Sequence, residues 1–460
     1  MLTKDKAADI FSRVLKHSSA DETEMLVSGG LSTLTRFANN AITQNVSEEN
    51  YVVSVRVNLG GRTARATTNK FDDESLRRTV DSAIALARMQ APDPELLPMA
   101  GPEAFSDGPE VGRTFFETVH TGPDARAEAI GKMVGIARRH KLTAAGTFAT
   151  GEHVEAVLNS RGMNAYHSQT SSEVSVTMLG PDSSGWQKTN SPDVRKLNPE
   201  QLAEVAAEKA ITSASPRELP AGKYTVVLEP AAVLDMMGFV FFDWGGLAVL
   251  DQRSFLTGRV GTKLFGDNIT IYDDAYHPEQ AGAPFDGEGV RRKRVQLVER
   301  GQVKNLVYAR GTAEKMKRSG HAPRVGTVEA TGHGLPIPND MGELPLNVVF
   351  DTAHDGARTL QQMIEGTQRG ILVTRLWYIR EVDPYEKILT GMTRDGTFYI
   401  EDGRIRHGLR NFRFNQSLIE MLNKVEEMSD PVRASGEESF EMVVPAMKVR
   451  DFNFTEVTKF

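Results

Sequence analysis

Residues able to do acid–base or metal chemistry are scattered through this 460-residue chain, and few form a pattern. The ten histidines are His17, His120, His140, His153, His167, His277, His321, His333, His354 and His407; none opens an H-E-x-x-H helix. His321, in the turn Ser319-Gly320-His321-Ala322, and His333, between two glycines, are the leading candidates. Each also fits an ordinary hydrogen-bonded histidine. Carboxylates pair at Asp273-Asp274 and at Asp286 with Glu288. Close carboxylates suit general acid–base work. Asp286-Gly287-Glu288-Gly289 suits a turn better, because Asp bonds nearby backbone and Gly accepts positive φ. Cysteine is absent, which removes disulfides, thiol nucleophiles and cysteine-ligated metals. A P-loop, a dinucleotide glycine fingerprint and a G-x-S-x-G elbow are also missing.

The densest group of chemically able side chains lies in residues 370–415, GILVTRLWYIREVDPYEKILTGMTRDGTFYIEDGRIRHGLRNFRFN. Strand formers recur there between polar residues, and Asp383-Pro384, Thr390-Gly391, Asp395-Gly396 and Asp402-Gly403 read as turns. Arg375, Trp377, Tyr378, Arg380, Asp383 and Arg394 would sit on these strands. They read either as a solvated sheet face or as a surface that orients a ligand. Trp377, Tyr378 and Tyr385 could hold a peptide's apolar side chains or simply pack.

The elements that must carry these residues suggest two domains, as the length does. Apolar residues make up 40% and charged residues 25%, a soluble globular balance. A net charge of −7 and a pI near 5.9 oppose a nucleic-acid partner, and Arg291-Arg292-Lys293-Arg294 alone is a charged strand end. The first residues read as an amphipathic helix over 4–15, with no secretion signal. The most apolar run, 231–250, holds Asp235 and Asp243 and reads as a buried helix over 231–242, not a membrane span. A cytoplasmic protein is expected. Short strands are expected at 24–27, 31–37, 41–46, 51–57 and 62–67, with Asn39-Asn40 and Glu48-Glu49-Asn50 as turns. Helices are expected at 76–88, 124–140 and 199–213, and strands at 142–149, 155–159, 165–169 and 173–179. The break at 216–222 divides an α+β N-terminal domain (1–218) of mixed or antiparallel sheet with long helices from a β-rich, barrel-like C-terminal domain (219–460). The tail 440–449 reads as a last strand.

LTGMTRDGTFYIEDGRI resembles the C-terminal hairpin of the TldD/PmbA (TldD/TldE) family, two-domain bacterial and archaeal proteins known as a heterodimeric metalloprotease. A second block agrees: residues 283–290, APFDGEGV, followed by RRKRVQLVERGQVKNLVYARGTAEKMKRSGHA. A weaker match runs over 36–64. The family's proteolytic subunit carries an H-E-x-x-x-H helix and a late cysteine. Two imidazoles and a thiolate there hold Zn²⁺, and the glutamate takes a proton from bound water. The resemblance places the first histidine on Asp235, the glutamate on Met236, the second histidine on Val240 and the cysteine on Arg394. It thus points to the TldE/PmbA-like branch without the metal motif: no catalytic residue, no cofactor, a TldD-like partner or self-association, and an unstructured peptide as substrate. Peptide-contacting candidates are Arg375, Trp377, Tyr378, Arg380, Asp383 and His321. Arg394 is expected to fill the metal's place and pair with a carboxylate, Asp235 first. Two rival readings stay open. One is an autonomous hydrolase using Asp235, Asp286, Glu288 or histidines; the other is a homodimeric peptide-binding protein.

Overall fold

The computed structural model describes residues 1–106, 108–323, 325–352 and 356–458; His354 lies outside them. Helix α1 (Lys4–His17) is capped by the Thr3 side chain. The strands β1 (Glu22–Ala38), β2 (Ala41–Leu59) and β3 (Arg62–Thr68) form a meander, followed by α2 (Asp73–Met89), which Asp72 caps. Next come α3 (Pro123–Arg139), β4 (Thr143–Asn159), β5 (Asn164–Leu179), β6 (Ser184–Ser191) and α4 (Pro199–Thr212). The six strands make one antiparallel sheet in the order β3-β2-β1-β4-β5-β6. Helices α1 and α2 bury Met25, Val27, Val53, Val55 and Val57 beneath them. Helices α3 and α4 do the same for Phe37, Phe148, Val174 and Val176.

These strands are longer than expected. Asn39 and Asn40 do make the tight turn, both at positive φ. Glu48-Glu49-Asn50 do not turn; they lie inside β2, with Glu49 opposite Leu31. Their polarity has another cause, since β2 is exposed almost throughout residues 41–52. The two expected strands before Asn39 are one, and so are the pairs forming β4 and β5. Gly29 and Gly30 are present because backbones meet there: a Cβ on Gly30 would lie 1.7 Å from the Glu152 carbonyl oxygen. Strand β6 carries little strand signal, and only its pairing with β5 reveals it.

After β7 (Gly222–Leu228), helix α5 (Pro230–Met237) starts on a proline at its first position and passes into a 3₁₀ turn, Gly238–Asp243. The apolar run 231–242 is therefore not one α-helix. Short strands follow: β8 (Ile271–Asp273), β9 (Val295–Glu299) and β10 (Gln302–Val303). Helix α6 (Arg310–Ser319) and β11 (Val348–Phe350) come next. The hairpin region gives β12 (Arg369–Asp383), β13 (Ile388–Glu401), β14 (Arg404–Gly408) and β15 (Phe412–Ser417). The chain finishes with β16 (Val425–Met428), β17 (Val432–Ala434), β18 (Met442–Val444) and β19 (Met447–Val457). The expected single tail strand is thus two, serving different sheets.

One sheet runs β10-β9-β8-β11-β18-β17. In the other, β12 pairs with β7, β7 with β19, β19 with β15, β15 with β13, and β13 with β12, which closes a ring. The barrel-like expectation holds in that literal sense. Asp402-Gly403 is the expected tight turn, with both φ positive. Thr390-Gly391 and Asp395-Gly396 are not turns; both lie within β13, and Asp395 (φ 51°) with Gly396 (φ 131°) bulges opposite Thr374. Helix α5 lies inside this half, with Ala232 to Met237 all buried, and packs on β12.

Candidate functional site

Asp235 and Met236 lie on α5, which packs on β12, the strand that carries Arg375, Trp377, Tyr378, Arg380 and Asp383, while Arg394 lies beside it on β13. Arg375 and Arg394 are cross-strand neighbours. Arg375 is buried, and its Nε donates to Asp395 Oδ2 at 2.9 Å, with a second, shorter bond from Nη2. The bulge at Asp395 turns that carboxylate back toward Arg375. The guanidinium lies 4.6 Å from the Trp186 ring and 5.6 Å from that of Trp377. Trp186 belongs to β6, so this ion pair also ties the first sheet to the ring.

Arg394 does not pair with Asp235. Its Nε sits 3.6 Å from Asp395 Oδ2, its guanidinium lies 4.7 Å over Trp377, and 46% of the side chain is exposed. The carboxylate beside Arg394 is Asp395, shared with Arg375, and not the expected Asp235. Asp235 instead accepts the Leu376 N–H at 3.0 Å through Oδ2, while Oδ1 has no hydrogen-bond partner among the described residues. Burial pushes its carboxyl up to about 7, with the Leu376 N–H and the Arg375 charge pulling the other way. Met236 and Val240 are buried in the apolar core.

These positions do not fit a zinc ion. They offer one buried carboxylate, a thioether, a branched alkyl group and a guanidinium, where such a site needs three donors drawn from imidazole, thiolate and carboxylate. Among the described residues no three His, Cys, Asp or Glu side chains cluster at metal-binding range.

The other candidates have varied settings. Tyr378 adopts φ 53°, an outlier for a bulky residue. Its N–H donates to Glu438 Oε1 at 2.9 Å, its ring lies under Arg380 at 4.4 Å, and it is 54% exposed. Asp383 caps the turn after β12, accepting the Tyr385 and Glu386 N–H groups at 2.9 Å each. Trp377 is partly buried between the two arginines. His321 is exposed in the loop after α6, its N–H on Ser319 Oγ, and no contact among the described residues joins it to β12 or β13. His333 is buried, with Nε2 2.8 Å from Asp273 Oδ1 and Nδ1 2.9 Å from Thr331 Oγ1. Asp286 accepts three backbone N–H groups, from Glu288, Val290 and Gly334, as a turn scaffold does. Glu288 pairs with Arg310 at 3.3 Å.

Sequence reasoning overlooked a cleft of about 280 Å³ beside the 3₁₀ turn, lined by Phe242, Asp243, Glu381, Lys387, Glu438 and Phe440 among others. Buried Lys387 lies 2.5 Å from Asp243 Oδ2 and 2.6 Å from Glu381 Oε1. The signal available was a charge, Asp243, inside an apolar run, which needs a buried counterion.

Family profiles match the chain in three consecutive stretches. PmbA/TldA metallopeptidase domain 1 matches residues 24–87, the central domain 123–214 and the C-terminal domain 221–456. Metalloprotease PmbA of Escherichia coli O157:H7 is 22% identical over 457 residues, covering 95% of this chain and 93% of its own. A metalloprotease of Methanothermobacter thermautotrophicus is 23% identical over 353 residues, 71% of this chain and 72% of its own. The crystal structure of TldE from Thermococcus kodakarensis superposes with a TM-score of 0.85 at 20% identity, covering 98% of this chain and 99% of that one. At such identity the superposition establishes the fold. The C-terminal profile spans more than half of the chain, and on that match the chain belongs to the TldD/PmbA metallopeptidase family.

Proposed function

We propose that this chain is a TldE/PmbA-like, metal-free subunit of a TldD/TldE-type metalloprotease, binding unstructured peptide beside a catalytic partner that carries H-E-x-x-x-H. The observation that carries the reading is what stands at the positions matched to the metal ligands and base: Asp235 and Met236 on α5, Val240 in the 3₁₀ turn after it and Arg394 on β13. A guanidinium at a position matched to a ligand opposes a divalent cation, and a single carboxylate cannot supply a tetrahedral site. The likeness to a solved protein named TldE supports the same branch.

The test uses purified full chain, alone and mixed with an H-E-x-x-x-H partner of the family. Alone it should hold less than stoichiometric zinc by elemental analysis and leave an unstructured peptide intact; cleavage should appear with the partner. Equimolar zinc together with chelator-sensitive cleavage by the chain alone refutes the reading and favours an autonomous hydrolase.

A further inference from the structure

The cleft beside the 3₁₀ turn has a composition that selects a ligand. Its walls are Phe239, Phe242 and Phe440, of which Phe242 and Phe440 leave 53% and 57% of their surface exposed. Its floor is the Asp243–Lys387–Glu381 triad, in which one ammonium serves two carboxylates. Glu438 stands at its edge, with one oxygen taken by the Tyr378 N–H and no cation paired to it among the described residues. Arg253, the other cation of the lining, is already paired with Asp251 at 3.1 Å.

Charge therefore does not balance. Asp243, Glu381 and Glu438 face Lys387 and an Arg253 committed elsewhere. An anionic ligand would meet this surplus directly. A purely apolar one would strip water from Glu438 without replacing its partner. A cation answers both the carboxylate and the aromatic walls, since ring faces attract ammonium and guanidinium groups. The volume lies below the roughly 300–1,000 Å³ of sites that enclose a drug-sized ligand, which suits one long side chain. Tyr378 adds a second observation. A tyrosine held at positive φ is costly, and the Glu438 carboxylate fastens the N–H of that strained residue. The strained strand and the charged edge of the cleft are thus one unit.

We propose that this cleft binds the side chain of a lysine or arginine in an extended peptide, its aliphatic stem along Phe242 and Phe440 and its charged head at Glu438 and Glu381. The proposal rests on the peptide-binding reading above and names the peptide chemistry it selects.

The experiment titrates full-length chain into fluorescein-labelled unstructured peptides that differ at one central residue: arginine, lysine, citrulline, norleucine or glutamate. Anisotropy should rank arginine and lysine about fivefold or more tighter than citrulline and norleucine, as a partly exposed cation on aromatic and carboxylate groups implies. Glutamate should bind weakest, and added salt should narrow the gap. Glu438→Gln keeps an acceptor for the Tyr378 N–H but removes the charge, and Phe440→Ala removes a half-exposed wall; each should abolish the preference. If either variant melts differently from wild type, Phe242→Ala, also half-exposed, replaces it. Equal affinity for arginine and glutamate peptides, a preference that survives these variants, or no binding of any peptide at millimolar concentration overturns the proposal. Zinc content and cleavage by the chain alone are measured separately, so failure of the subunit reading is told apart from failure of this one.

Discussion

Replacing Asp235 by asparagine should stabilise the protein, and by an amount that grows with pH. Burial raises this carboxyl from 3.8 to about 7 in the folded chain. Between those values the unfolded chain has released the proton while the folded chain still holds it, so stability falls as pH rises. A tenfold change in proton affinity is worth about 1.4 kcal/mol, so the full penalty above pH 7 is about 4 kcal/mol. At pH 5 the same arithmetic leaves about 1.5–2 kcal/mol. Asparagine keeps an oxygen for the Leu376 N–H and carries no charge at any pH. Urea unfolding at pH 5, 6, 7 and 8 can be followed by tryptophan fluorescence, with buried Trp244 next to the 3₁₀ turn as a local reporter. The stability gap between Asp235→Asn and wild type should widen by about 2–3 kcal/mol from pH 5 to pH 8. A gap that is constant or narrows with pH refutes the argument, whatever its absolute size, because steric effects of the amide do not follow the proton.

Two further outcomes are expected. Asp395→Ala leaves Arg375 buried without its anion and should cost roughly 3–5 kcal/mol in urea unfolding, whereas Arg394→Ala, which trims a half-exposed pair, should cost under about 1 kcal/mol. Gly30→Ala forces a methyl into the Glu152 carbonyl and should lower stability by about 2 kcal/mol or more; Gly131→Ala in α3, with open space around it, should raise stability by about 0.5–1 kcal/mol by the same assay.

Local signals were readable wherever a local cause acts. Asp72 before α2 accepts the Ser75 N–H, and Asn39-Asn40 and Asp402-Gly403 supply the positive φ of their own turns; each falls where its residue type suggests. The failures share a different cause. Glu48-Glu49-Asn50 looks like a turn because it is polar, yet its polarity answers to solvent on β2. Asp395-Gly396 has turn chemistry but spends it on a bulge that aims a carboxylate at Arg375. The ring's closure rests on β12 lying beside β7, a pairing between segments far apart in sequence that no window of the chain reveals. At the site, the aromatic and basic residues of β12 were visible as types. Which arginine meets which carboxylate was not, because that depends on a bulge on one strand and a buried helix end from another part of the chain. Asp243 stood out as a charge in an apolar run, but its counterion did not: Lys387 is unremarkable until the fold sets it 2.5 Å away.

The closed ring sets an order on synthesis. Strand β7 opens the second half, but its two neighbours are β12 and β19, and β19 spans Met447–Val457. While the chain emerges from the ribosome, β7 first waits with both edges bare, and after β12 appears it still waits with one. The ring seals only once residues 447–457 have left the exit tunnel, so its closure waits on the last of its five strands to be made. In that interval the nascent chain offers an unpaired strand edge to any other strand nearby, the state in which multistrand proteins aggregate and in which chaperones engage them.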